Sequence, residues 1–391
     1  MTPPAAALVS LLFFGILTLW VPQLWAWSLF QVGIFLLAAV RFLRKRPVWP
    51  RSAGLPLAAA ALWPLLQLAL AQTVNRGATW VAALNWFTFL LVFLLACDAL
   101  AHLRARDWFL KTSALCGSLL AVLAIAQKYS ANGRIFWLFP SGYTTDVLGP
   151  FVNRNQYAAW MELLLPIALY FAVTDRRTRV LYGTGSAIML SSVIAAGSRA
   201  GSVLVLAEGL AVMAIFAFRA QAPRRTIVLR ALQFSGAVVI AVALAGSNDL
   251  RARLQATGAE SLRLDALQAS IRMTAERPWM GSGLGTWSII YPKYARIDTG
   301  LFMNQAHNDW AQWAAEGGIP FVGLLALFAA ALAKPAFRSI YGLGIAAFLL
   351  HALLDYPMQQ RPGLAAFFFA IAGAAAANEA ANGSKTISSC A

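Results

Sequence analysis

The sequence predicts an all-α, polytopic integral membrane protein with about a dozen transmembrane helices and one large extramembrane loop. Three observations predict it. Of 391 residues, 60% are hydrophobic and only 12% are charged, whereas soluble domains carry about 25% charged residues. The apolar residues come in blocks of roughly 20, long enough to cross a hydrocarbon core of about 30 Å. The formal net charge is +16, but the basic residues fall in short clusters between the apolar blocks. That distribution excludes nucleic acid as a partner and suits orientation signals and anion ligands.

The blocks place spans at 5–21, 24–41, 54–72, 79–100, 108–127, 156–173, 179–197, 201–218, 231–247, 317–333, 339–354 and 363–378. Pro22 and Gln23 mark a turn within the apolar stretch 1–41, dividing it into two helices. The N-terminus lacks the positive region of a signal peptide and reads as the first membrane helix. Cys97, Cys116 and Cys390 form no pattern for a disulfide framework or a metal site. The chain reads as a single membrane domain over 1–391, with the loop 248–316 inserted between the ninth and tenth spans.

Orientation follows from the loop charges. With a cytoplasmic N-terminus, the inside loops 41–51, 102–107, 174–179, 219–230 and 334–338 are short and rich in Lys and Arg. Both termini are then cytoplasmic, and 128–155, 198–200, 248–316 and 355–362 lie on the other side. The 248–316 loop is too long to be only a connector. Within it, 261–278 carries Leu264, Leu267 and Ile271 at helical spacing, which predicts an amphipathic helix lying on the membrane or covering a cavity. The Gly-rich stretch 278–287 predicts a tight turn. Residues 306–318 predict a helix start with Asn308 or Asp309 near the cap.

Four places on the non-cytoplasmic side carry candidate chemistry. Asn153, Arg154 and Asn155 crowd the start of the sixth span, either as a cap with a snorkelling arginine or as donors facing a cavity. Arg199 is a lone charge in the turn 197–202, either an interfacial anchor or a guanidinium fork for an anion. Arg263, Arg272 and Arg277 form a third group, with Asp265 and Glu276 close enough in sequence to pair with them. Residues 263 and 277 would share a face if the helix persists. The fourth is His307 with Asn308; a histidine takes a proton near neutral pH, as a general base must, although a lone histidine is more often structural. Asp309, Trp313 and Glu316 share the other face of that helix, where the carboxylates would hold the local fold together. No Gly-rich phosphate loop follows a strand, and no carboxylate cluster suited to a divalent metal is present.

The motifs GPFVNRNQYAAW, GSRAG, ERPWMGSGLGTW with YPKYA, AHNDWAQWAAEGGIPFVG and HALLDYPMQQRP occur in that order over roughly 149–362. This series resembles the O-antigen ligase and polymerase superfamily of bacterial membrane glycosyltransferases. The resemblance implies a GT-C-like helical fold in the inner membrane, with the active site at the periplasmic face. It implies a donor glycan on undecaprenyl diphosphate, an acceptor that is lipid A–core in a ligase or a growing glycan in a polymerase, and membrane lipids as surroundings. It implies no cofactor, metal or nucleotide sugar. By position, the diphosphate-holding arginines fall on Arg199 and Arg263 and the proposed base on His307; Asn153, Arg154, Asn155, Arg272, Arg277 and Asn308 are the candidate binding residues around them. The expected activity is metal-independent inverting transfer, as an O-antigen ligase, or alternatively as an O-antigen or exopolysaccharide polymerase. A lipid-linked sugar transporter is the rival of another class. Against it, the charges lie at the membrane boundary and no internal repeat is visible.

Overall fold

The apolar blocks fold into helices because a chain in hydrocarbon must satisfy its backbone hydrogen bonds internally. The computed structural model describes residues 2–142, 147–219, 236, 239, 258–297, 300, 302–359 and 362–388. Thirteen helices lie among them. These are α1 (Pro3–Leu17), α2 (Leu24–Arg44), α3 (Arg51–Ala69), α4 (Arg76–Ala99), α5 (Leu103–Ser130), α6 (Arg154–Thr174), α7 (Arg179–Ala196) and α8 (Arg199–Arg219), then α9 (Gly258–Glu276), α10 (Trp287–Tyr294), α11 (Asp309–Phe337), α12 (Gly342–His351) and α13 (Pro362–Ser388). Eight of them, α2 to α8 and α11, are long and apolar enough to cross a membrane; α1, α12 and the apolar part of α13 are shorter. The chain is thus a mostly helical membrane protein. The predicted span 231–247 lies outside the described residues apart from Gly236 and Val239, as does the loop segment 248–257.

The long expected connection 128–155 departs from the all-α expectation, since β1 (Arg134–Ile135) and β2 (Phe139–Pro140) pair antiparallel within it. Phe136 and Trp137 adopt positive φ in the turn between them.

The core runs through α4, α6, α11 and α13. Aromatic rings interlock there, with Phe93 edge-on to Phe328 at 5.5 Å and Trp160 edge-on to Phe367 at 5.9 Å. Small residues let α13 lie close on α4: a Cβ at Gly373 would sit 2.7 Å from the Ala96 Cβ. At one end of the bundle Arg41 makes a two-pronged bond to Asp98, at 2.6 and 3.1 Å, tying α2 to α4. At that same end, Lys111 of α5 pairs with Asp175 just beyond α6 at 3.3 Å.

The helix expected to start at 306–318 and the span expected from 317 are one element, α11, broken at Gly318. That residue has φ +78° and ψ 175°, a conformation open to glycine. The break frees carbonyls that a continuous helix would occupy. Ala315 O accepts from Ser282 N at 3.0 Å and Glu316 O from Gly283 N at 2.9 Å. Gly317 O accepts from Trp63 Nε1 at 2.9 Å. Gln67 of α3 donates to the Met280 and Glu316 carbonyls, while its own oxygen accepts from Leu284 N. The predicted Gly-rich turn is therefore stitched into the broken helix by its backbone. Glu316 completes the stitching, accepting from Gly285 N at 3.0 Å and Trp287 N at 2.9 Å.

The predicted amphipathic helix forms as α9. Ala266, Ala269 and Met273 pack against Trp287 and Tyr291 of α10, whereas Leu264 and Ile271 stay exposed. The reason is polar as much as apolar: Ser270 accepts from Trp287 Nε1 at 2.9 Å and Asp265 accepts from the Tyr291 hydroxyl at 2.9 Å. Those bonds rotate the small-residue face inward.

The break at Gly318 can be tested directly. A Cβ there would lie 2.5 Å from the Trp279 carbonyl oxygen, on a backbone that L side chains rarely adopt. Gly318→Ala should cost about 2–4 kcal/mol, read as a drop in the unfolding temperature of detergent-solubilised protein. Gly323→Ala, one turn on and facing open space, should be neutral or slightly stabilising, because alanine is the better helix former.

Candidate active site

The site lies at the end of the bundle that carries the start of α6, the turn 197–198, the start of α11 and the turn after α12. Its centre is Asp355, whose side chain is 3% exposed. This carboxylate was only one letter of a motif at the level of sequence, and the structure makes it the common partner of the predicted residues.

The turn holding Asp355 is fixed by the start of α11. Asn308 caps that helix, its side chain accepting from Ala311 N at 2.9 Å and donating to Leu353 O at 2.8 Å. Asp309 N donates to the carbonyls of Ala352 and Asp355, and the Asp309 carboxylate accepts from Met358 N at 3.0 Å. Asp309 and Glu316 thus serve as anchors for backbone, as their shared helix face suggested.

Asp355 draws in side chains from three other segments. Asn155, in the first turn of α6, donates from Nδ2 to its Oδ2. Arg263 of α9 lies 3.8 Å away, Nη2 to Oδ2. His307 Nδ1 lies 3.6 Å from Oδ1, an ionic separation longer than a hydrogen bond. Burial would push the Asp355 carboxyl up, but His307, His351 and Arg263 around it outweigh burial and hold it below its usual range. It is therefore an anion facing a cationic side chain and an imidazole.

His307 itself is bent into place. Its φ of +55° is in the left-handed region, uncommon for a residue with a side chain. The ring stands edge-on to Tyr356 at 4.6 Å and is about a quarter exposed. The Tyr356 hydroxyl accepts from Asn153 Nδ2 at 3.1 Å. Asn153 also caps α6, accepting from Asn155 N at 2.8 Å. Asn155 Oδ1 accepts from Ser198 Oγ at 2.8 Å, and Arg199 follows at once as the exposed first residue of α8.

Arg272 points elsewhere: it donates to the Tyr294 carbonyl and braces α9 against the end of α10. Arg277 directly follows α9, and its N–H still bonds the Met273 carbonyl at 3.1 Å. Arg154 opens α6, half-buried, between Asn153 and Asn155. The residues that sequence reasoning passed over are Asp355, Tyr356, Glu162 and His351. A signal existed for two of them: Asp355 is the only acid between Glu316 and Glu379, and Glu162 the only one between Asp146 and Asp175.

A cavity of about 300 Å³ adjoins the segment that leads to His307. Asn304 and Gln305 line it, with Asn85 and Trp86 from α4, Trp313 from α11 and Gln359. Amides set against indoles can bind a hydroxylated, partly apolar ligand.

Residues 184–328 match the family model described as O-antigen ligase. No curated protein matches the chain. The matched segment contains Arg199, Arg263 and His307, whereas Asn155 and Asp355 lie on either side of it. The resemblance to the O-antigen ligase and polymerase superfamily is thus supported over residues 184–328.

Proposed function

We propose that the protein transfers a glycan from undecaprenyl diphosphate to an acceptor hydroxyl at the periplasmic face of the inner membrane, with both termini cytoplasmic. The observation that carries this reading is the convergence of His307, Arg263 and Asn155 on the Asp355 carboxylate. The basic loops between spans support the sidedness.

The acceptor oxygen attacks the anomeric carbon from the face opposite the diphosphate, and the bond from that carbon to the phosphate oxygen breaks, giving inversion. His307 takes the hydroxyl proton. With Nδ1 turned toward Asp355, the imidazole presents Nε2 as its basic nitrogen. Asp355 stabilises the imidazolium that forms. Arg199 and Arg263 neutralise the charge that develops on the departing diphosphate, an electrostatic contribution that often dominates catalysis. With two guanidinium groups in that place, the reading needs no metal ion. Asn153 and Asn155 hold the frame, and the amide-lined cavity suits the sugar nearest the reacting centre.

The acceptor reading is lipid A–core, which makes the enzyme an O-antigen ligase. Deleting the gene tests it: loss of all O-antigen from the core, with lipid-linked polymer accumulating, is the expected phenotype. A single unpolymerised repeat on the core would mean a polymerase instead.

Two substitutions test the chemistry in membranes supplied with polyprenyl-diphosphate glycan. His307→Ala should lower transfer by about 10²–10⁴-fold, and full activity at normal expression would remove the base assignment. Arg199→Lys keeps the charge but loses the fork, so transfer should fall roughly tenfold or more; parental rates would exclude a two-pronged phosphate contact.

A further inference from the structure

Behind the site, inside the bundle, lies a second set of titratable side chains that the proposed reaction does not use. His351 ends α12, and its Nδ1 meets Glu162 Oε1 of α6 at 2.7 Å. Both side chains are fully buried. The remaining polar atoms of the pair, His351 Nε2 and Glu162 Oε2, have no hydrogen-bond partner among the described residues. Glu208 of α8, also buried, is near enough to Glu162 for their charges to repel. A carboxylate and an imidazole placed this deep are costly unless paired. A short contact between them is a charge-assisted bond.

The pair is joined to Asp355 in two ways. The first is covalent and geometric. His351 O accepts from Leu354 N at 2.8 Å and from Asp355 N at 2.9 Å, so the turn that presents Asp355 is built on the residue that Glu162 holds. Glu162 and Asn155 lie seven residues apart on α6, two turns on one face, so this helix grips the end of α12 through Glu162 and the turn beyond it through Asn155. The second is electrostatic. A positive His351 is one of the charges that favour the Asp355 anion, with His307 and Arg263 acting from the other side and Asp309 opposing from the start of α11. From core to mouth the groups alternate in kind: the Glu162 carboxyl, the His351 imidazole, the Asp355 carboxylate, then His307 and Arg263.

We propose that Glu162 and His351 are positioning residues for the transfer reaction, a buried pair that fixes the turn presenting Asp355 behind His307. This rests on the proposed function for its activity readout, but not for its stability readout. A purely structural staple would lower the amount of folded protein and leave its pH response unchanged. The pair makes a different demand. Glu162→Gln removes the carboxyl that holds His351 behind the Asp355 turn, and Asp355 then takes up a proton more readily.

The sign follows from linkage. A carboxyl held below its unfolded value contributes stability above that value and loses it as pH falls through the folded one. With less depression the loss begins at higher pH. The experiment compares the parent, Glu162→Gln, His351→Gln and the double variant, purified in detergent. The acid limb of the kcat profile should move up by about half a pH unit or more in each variant. The acid limb of the unfolding temperature should move the same way. The double variant should lose no more activity than the worse single variant, because the two residues act as one device. Should Glu162→Gln fail to accumulate, His351→Gln gives the same two limbs. Acid limbs that superimpose on the parent's overturn the proposal, as do losses that multiply in the double variant. A parent without transferase activity would sink the functional reading alone; the unfolding limbs would still decide this one.

Discussion

A single carboxylate placed almost out of reach of solvent sets the terms for one end of this molecule. Burying an anion costs several kcal/mol unless donors and opposite charges surround it. Asp355 is surrounded by groups from separate parts of the chain: Asn155 from α6, Arg263 from α9, His307 from the segment before α11, and the Tyr356 amide beside it. Four segments far apart in sequence converge because this charge needs them. The left-handed backbone of His307 belongs to the same account. A residue stays in so sparsely populated a conformation only where its surroundings over-determine it, and here Asn308 locks the helix on one side while Tyr356 stands against the ring on the other.

The eight long apolar helices were legible because hydrocarbon imposes a length and a composition that any block of about 20 apolar residues displays. The cap at Asn308 was legible for a local reason: a side-chain acceptor just before a helix can be read from the chain alone. Asp355 was not legible in its role, since the side chains that converge on it from α6, α9 and the segment before α11 lie 48 to 200 residues away and nothing in its neighbourhood names them. α9 was legible as an amphipathic helix from Leu264, Leu267 and Ile271, but its ties to α10 through Ser270 and Asp265 were not, because their partners lie 17 and 26 residues on. The break at Gly318 was hidden because EGG followed by an apolar run reads equally well as the end of one helix and the start of another.

Among the acids at this end of the bundle, the partners of Glu316, Asp309 and Asp355 divide their work. Glu316 accepts from two backbone amides and from Gln312. Asp309 accepts from the Met358 amide. Backbone donors of this kind do not leave when a ligand arrives, so these two acids are committed to shape. Asp355 differs. Beyond its bonds to Asn155 and to the Tyr356 amide, the charged partners on its solvent side are partly exposed: Arg263 at 43% and His307 at 27%.

That difference bears on how an anionic substrate would be received. The contact between Arg263 and Asp355 is long, at 3.8 Å, and an ion pair that is partly solvated on one side is worth at most about 1 kcal/mol. A diphosphate could therefore share or take over the guanidinium at little cost, the more so because it offers oxygens matched to both prongs of the fork. Asn155 cannot be drawn away as easily, because its other end is held by Ser198. In the proposed reaction the incoming anion thus loosens Asp355 from the arginine while the asparagine keeps the carboxylate in place. Asp355 is left with His307 as its nearest positive partner at the step in which the imidazole gains its proton. The same looseness that makes the arginine pair a weak contributor to stability is what lets it respond to substrate.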